Sequence, residues 1–164
     1  MTRLTFIDIE ASGFGAGSYP IEVGCAFANG QSYCTLIYPE PDWRHWDASA
    51  ESVHGIKRDI LFEHGRASVE VADKLNEHLA GQVVITDAWY HDYTWLSRLF
   101  DAGERRQRFQ LKDLRDVLNE PGLACWEQTK RQVTEELNLT RHRASNDARI
   151  LQTTLQRVAE LNPD

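Results

Sequence analysis

The 164-residue sequence predicts an α/β fold built on one sheet whose first strands run antiparallel. Three strand-like segments come first, at 3–10, 21–28 and 31–38, and Asn29-Gly30 between the second and third is a strong two-residue hairpin signal. Helical periodicities then alternate with a short β-branched run, 82–86, suited to a buried strand. No repeat, low-complexity stretch or linker breaks the order, so one domain over residues 1–164 is expected.

The first strand carries its own chemical problem. In Phe6-Ile7-Asp8-Ile9-Glu10 the alternation of a strand puts Leu4, Phe6, Asp8 and Glu10 on one face and Ile7 and Ile9 on the other, with the two acids roughly 7 Å apart. Ionised carboxylates in so apolar a run cost several kcal/mol each unless positive charge sits beside them, and no Lys or Arg follows Arg3 in the strand. A divalent metal is the economical answer. The alternative is an edge strand whose acids face water.

Residues 39–54, with Pro39, Pro41, Trp43 and Trp46, read as an ordered excursion presenting an aromatic surface. Helices are expected near 57–64 and over 68–80, where Val69, Ala72, Leu75 and Leu79 form one stripe ending at Gly81. Further helices are expected near 92–102, 111–118, 126–137 and 145–161.

Asp92 stands where the buried strand turns into a helix. Its i+4 partner Leu96 and i+7 partner Leu99 put it on the apolar side of the first turn, where it is either a helix cap or a carboxylate facing a cleft. Asp87, at the strand's end, competes for the same role, because α/β folds place their sites at strand ends. In the last helix Asp147 begins the stripe of Ile150, Leu151, Thr154, Leu155 and Val158. His142 lies five residues earlier in a polar loop, positioned to swing beside that carboxylate.

Charge bears on the partner. The chain carries −7 overall, yet residues 1–97 hold 6 basic and 14 acidic residues and 98–164 hold 12 and 11. Arg105, Arg106, Arg108, Lys112 and Arg115 cluster, and Arg141 and Arg143 bracket His142; they read as phosphate contacts or as a solvated helix face. Weak, metal-dependent binding of a short polyanion fits this balance, and high-affinity coating of long duplex does not. Cys25, Cys34 and Cys125 lack metal-type spacing and read as buried, reduced thiols. With no apolar stretch near 18 residues and no basic-then-hydrophobic leader, neither a membrane span nor a signal peptide is indicated, and a cytoplasmic location is expected.

Taken in order, Asp8, Glu10, Asp92, His142 and Asp147 resemble the DEDDh subgroup of the DnaQ-like 3′-to-5′ exonucleases. Asp8-Ile9-Glu10-Ala11-Ser12-Gly13 is similar to that family's opening D-x-E, followed by a small residue and Gly. His142-Arg143-Ala144-Ser145-Asn146-Asp147-Ala148 is similar to its H-x-x-x-x-D-A, and His54-Gly55-Ile56 to a recurrent H-G-I element. The stretch before Asp92, Asp87-Ala88-Trp89-Tyr90-His91, departs from the usual H-N-A-x-F lead-in and keeps Asp87 a candidate.

The resemblance implies an RNase H-like mixed sheet flanked by helices. It also implies Asp8, Glu10, Asp92 and Asp147 as ligands of two Mg²⁺ or Mn²⁺ ions, with His142 as general base. Phosphodiester hydrolysis needs an ionised water and charge stabilisation at the leaving oxygen, and two metals about 3.5 to 4 Å apart supply both. Imidazole in general titrates near neutral pH, which suits a base. Hard oxygen ligands favour Mg²⁺ or Mn²⁺ over zinc.

Ser12, Gly13, Phe14, His54, Ile56 and Asp87 are the implied substrate contacts, and single-stranded RNA or DNA 3′ ends are the implied partner. The family includes dimers, so a homodimer is a further implication. The alternatives are a catalytically inactive nucleic-acid-binding or scaffolding module of the same fold, and a hydrolase of some other phosphate ester.

Overall fold

The computed structural model describes residues 3–163. Five strands, β1 (Thr5–Ala11), β2 (Pro20–Ala26), β3 (Ser32–Leu36), β4 (Val83–Thr86) and β5 (Gln110–Asp113), form one sheet in the order β3-β2-β1-β4-β5. β2 pairs antiparallel with both β3 and β1, while β4 joins β1, and β5 joins β4, in parallel. This is the RNase H-like arrangement the sequence led us to expect. The helices are α1 (Ala48–His54), α2 (Arg58–His64), α3 (Ser68–Leu79), α4 (Trp89–Ala102), α5 (Glu120–Leu137) and α6 (Ala144–Leu161). None of them is long and apolar enough to cross a membrane.

Alternation along β1 divides the core as its sequence demands. Ile7 and Ile9 join Leu75, Leu79, Trp95, Leu96 and Leu99 on the face covered by α3 and α4. Phe6 joins Trp126, Leu151 and Leu155 on the face covered by α5 and α6. Asp8 and Glu10 continue the Phe6 row, so their carboxylates emerge beneath the start of α6. A register shift between Glu10 and Ala11 ends the regular pairing there, and such bulges commonly adjoin sites because they re-aim side chains.

α6 seats on β2 at one glycine. A Cβ on Gly24, which lies opposite Asp8, would stand 2.1 Å from the Ser145 nitrogen and 2.4 Å from the Ala144 carbonyl carbon. Backbone atoms cannot yield as a side-chain tip can. Gly24→Ala is therefore expected to cost about 3 kcal/mol or more, lowering Tm by roughly 6–12 °C for a chain of this size. A melting curve within a degree or two of wild type would show that α6 can lift off β2 freely.

Several sequence expectations are corrected. The hairpin loop holds three residues instead of two: Phe27 donates to Gln31 across its base, and Gly30 takes φ 90°, the bulge position of a type I turn. Residues 111–118 are not a helix but β5 followed by a 3₁₀ turn over Leu114–Asp116. Leu111 and Leu114 imitate a helical stripe yet bury on opposite faces of the sheet, and pairing with β4 satisfies the backbone.

α5 starts at Glu120, six residues early, because Pro121 is tolerated in a first helical turn and the Asn119 side chain accepts from Gly122 N–H at 2.8 Å. Trp43 is no surface residue: it is 3% exposed, stacked on Tyr19 at 5.4 Å. The three cysteines are free, but only Cys25 is buried, and Cys34 is exposed on the outer strand β3.

Candidate active site

Asp8 and Glu10 from β1, Asp92 from α4, and His142 and Asp147 from the entry to α6 line one cleft of about 410 Å³. Gly13 and Phe14 from the loop after β1 and His54 from α1 complete its wall, with His91, Trp95 and Val53. Ligand atoms of Glu10, His142 and Asp147 lie within 4.8 Å of one another. Acids separated by up to 139 positions in sequence thus meet at one end of β1.

Each carboxylate is held differently. Asp92 is 1% exposed in the first turn of α4, whose N-cap is Ala88, so it is not the cap. One of its oxygens accepts from the hydroxyl of buried Thr86, which itself accepts from Ala88 N–H at 3.1 Å. Asp147 accepts from the His142 backbone N–H at 3.1 Å and from Arg141 Nε at 2.9 Å. Oδ2 of Asp8 is buried without a hydrogen-bond partner among the described residues. Among the described residues no Lys or Arg pairs with Asp8, Glu10 or Asp92.

Such crowding changes protonation. Burial, followed by repulsion from Asp92, Glu10, Asp147 and Asp87, drives the Asp8 carboxyl well above the usual carboxylate range. Burial and the charges of Asp147 and Glu22 push Glu10 up to about 8. Asp92 is pushed up to about 8 as well, chiefly by burial, although the Thr86 hydrogen bond opposes the shift. An orphaned buried oxygen and three uncompensated acids are what a divalent-cation site requires. Asp8, Glu10, Asp92 and Asp147 therefore fit a hard metal ion, with all-oxygen donors of the kind Mg²⁺ and Mn²⁺ take.

This protonation makes stability depend on pH in a stated direction. Unfolded carboxyls titrate near about 4, so between about pH 4 and 8 the folded chain retains protons that the unfolded chain has released. Stability of the metal-free protein therefore falls as pH rises through that window. Thermal melts in EDTA are expected to show a Tm lower at pH 8 than at pH 5, and millimolar Mn²⁺ is expected to reverse the loss at pH 8 by binding the folded state. A flat profile, unaffected by Mn²⁺, would mean the acids are already compensated.

The other residues singled out in the sequence divide. Phe14 is 68% exposed at the rim, edge-on to His91 at 5.1 Å. His54 is buried beside the cleft; its Nδ1 accepts from Ile56 N–H at 3.0 Å, while Nε2 makes no well-formed hydrogen bond among the described residues. The Ile56 N–H donated to Nδ1 places the ring's own proton on Nε2, and burial lowers the pKa although Glu51, Glu22 and the Ala11 carbonyl oppose the shift.

Ser12, Ile56 and Asp87 do not line the cleft. Ser12 is fully buried, accepting from Tyr19 N–H and bonded to His45 Nδ1 at 2.9 Å, and Ile56 belongs to the core. Asp87 turns to Lys130 of α5 at 3.2 Å, which leaves the interior position to Asp92. The basic cluster divides: Lys112 lies in β5 and Arg115, paired with Asp113, follows it at the end of the sheet where β4 meets α4, while the other three lie elsewhere. Arg106 and Arg108 flank the start of β4, at the end of the sheet away from Asp8, and Arg105 pairs with Asp73 of α3. Thr86 and Glu22 were missed. A lone acid inside the otherwise apolar Pro20–Ala26 was the available signal for Glu22, which is 0% exposed.

No protein-family model matches the chain, and no curated protein does. Its fold matches exonuclease I from Methylocaldum szegediense, with 16% identity and a TM-score of 0.75 over 98% of this chain and 41% of that one. A zinc-bound complex of E. coli exonuclease I with single-stranded DNA matches with 14% identity and a TM-score of 0.74, over 98% and 41% of the two chains. E. coli exonuclease I with a dT13 oligonucleotide matches with 14% identity and a TM-score of 0.72, over the same shares. At these identities the likeness is one of fold, and the chain spans about 41% of the neighbours' length.

Proposed function

We propose that the chain is a metal-dependent 3′-to-5′ exonuclease of the DEDDh type, releasing nucleoside 5′-monophosphates from single-stranded RNA or DNA. The observation that carries this reading is the convergence of Asp8, Glu10, Asp92 and Asp147 on one cleft with His142 at its edge. The shared fold with exonuclease I, and the single-stranded DNA bound by that protein, support it.

Asp8, Glu10, Asp92 and Asp147 would hold two divalent ions. When bound, these supply a water ionised at neutral pH and positive charge opposite the leaving oxygen. The chain's own residues do the rest. His142, its side chain 48% exposed and its Nδ1 3.9 Å from Asp147, accepts the proton of the attacking water as general base. The Nε2–H of His54 donates to the terminal nucleotide, and the apolar wall of Val53 and Trp95 excludes bulk water. Phe14 stacks on or wedges against a base, as exposed rings do for single strands. Phe14→Ala is accordingly expected to raise KM about tenfold with kcat nearly unchanged. An unchanged KM would remove the ring from binding.

The test is a panel of 3′-hydroxyl RNA and DNA oligomers, single and double stranded, with Mg²⁺, Mn²⁺ or EDTA. Mononucleotides released stepwise from the 3′ end of single strands, and none in EDTA, are expected. Absence of release with every metal and substrate would overturn the proposal.

A further inference from the structure

We infer that Glu22 and Arg143 form a clamp that positions His142, an inference that rests on the exonuclease reading for its kinetic consequence but not for its structural one. Glu22 is the cross-strand partner of Glu10 on β2 and is fully buried. Both its oxygens are engaged from the α6 side. Arg143 Nε approaches them at 3.2 and 3.1 Å, the second guanidinium nitrogen donates to Oε2 at 2.7 Å, and Ala144 N–H donates to Oε1 at 2.7 Å.

Ala144 opens α6, and the helix has no cap from its own N-cap side chain, Arg143. A carboxylate from a strand more than 120 positions away therefore satisfies the helix's first N–H and complements the positive end of its dipole.

The residue before this clamp is His142, which holds φ at 59°, a left-handed conformation uncommon outside glycine and met otherwise chiefly at Asn, Asp and His. Two restraints keep it there. On its own nitrogen it donates to Asp147, and on its C-terminal side the forked Arg143–Glu22 pair fixes the next peptide. Gly24 sets the height of the same turn by letting Ser145 touch β2. A charge pair with a buried carboxylate adds little net stability; what this fork holds is the turn that carries the candidate base. Glu22 and Arg143 do not line the cleft and act through His142, so they are positioning residues.

Glu22→Gln keeps the volume while removing the charge that holds the fork, and Arg143, 42% exposed, is free to turn to water. Hydrogen exchange of the 142–147 amides, read by mass spectrometry, is expected to quicken about tenfold or more in E22Q while the α3 and β4 amides keep their rates. In oligonucleotide hydrolysis E22Q is expected to lose about tenfold to a hundredfold in kcat with KM little changed. R143K, which keeps one charged donor, is expected to lose less. The double variant E22Q/H142A is expected to be no slower than H142A alone, because the clamp acts only through that ring.

Unchanged exchange in E22Q, or losses that multiply in the double variant, would overturn the clamp. Should the wild type hydrolyse nothing, the exonuclease reading fails, and the exchange arm alone still decides whether Glu22 holds this turn. Should E22Q fail to fold, the same two readouts are taken on R143K.

Discussion

Asp8→Asn is expected to abolish hydrolysis, by about a thousandfold or more, and at the same time to make the metal-free protein more stable at pH 8. The two effects share one cause. Asp8 Oδ2 is buried without a partner among the described residues, and its charge is opposed by Asp92, Glu10, Asp147 and Asp87. Asparagine has the same shape, carries no charge and brings an N–H donor for a neighbouring carboxylate. Relief of this repulsion is worth about 1–2 kcal/mol, roughly 2–8 °C in Tm, the usual size of a gain at a strained functional position. With Mn²⁺ the order reverses, since only the wild type gains by binding. Melts of both proteins at pH 8, in EDTA and in Mn²⁺, check this. A lower Tm for D8N without metal would mean that the acids support the fold as they stand.

His142→Ala is expected to lower kcat by about 10²- to 10⁴-fold, the range for loss of a general base. It is also expected to leave Mn²⁺ affinity within about threefold of wild type. The second half matters, because His142 stands within 4.8 Å of Glu10 and Asp147 and that trio has the spacing of a metal site in its own right. If the ring were a ligand, its loss would weaken binding by about 10-fold or more. Calorimetric titration with Mn²⁺ beside steady-state kinetics separates the roles, and full activity in H142A would remove the histidine from the mechanism.

What the sequence disclosed depended on distance along the chain. The acids of Asp8-Ile9-Glu10 and the pairing of His142 with Asp147 are local, so alternation in a strand and periodicity in a helix were enough to place them on one side. The same holds for α3 and α6, whose stripes are long. β5 was misread because four residues carry too little periodicity to distinguish a strand from a helical turn, and its strand character comes from β4.

The choice between Asp87 and Asp92 depended on Lys130, 43 residues beyond Asp87, and the clamp on Glu22 meeting Arg143, 121 residues later. Neither meeting leaves a local pattern. The arginine stretch divides in the opposite way: its charges cluster in sequence, but β5 runs parallel to β4, so Arg106 and Arg108 before it stand at the far end of the sheet and Arg115 after it at the near end.

Anomalous diffraction at the manganese edge, from crystals of the wild type equilibrated with Mn²⁺, puts the whole reading at risk in one map. Manganese peaks in direct contact with Asp8, Glu10 and Asp147, and close to Asp92, are the expected result. A map with no peak among those carboxylates, from protein that still hydrolyses oligonucleotides in the same buffer, would contradict it.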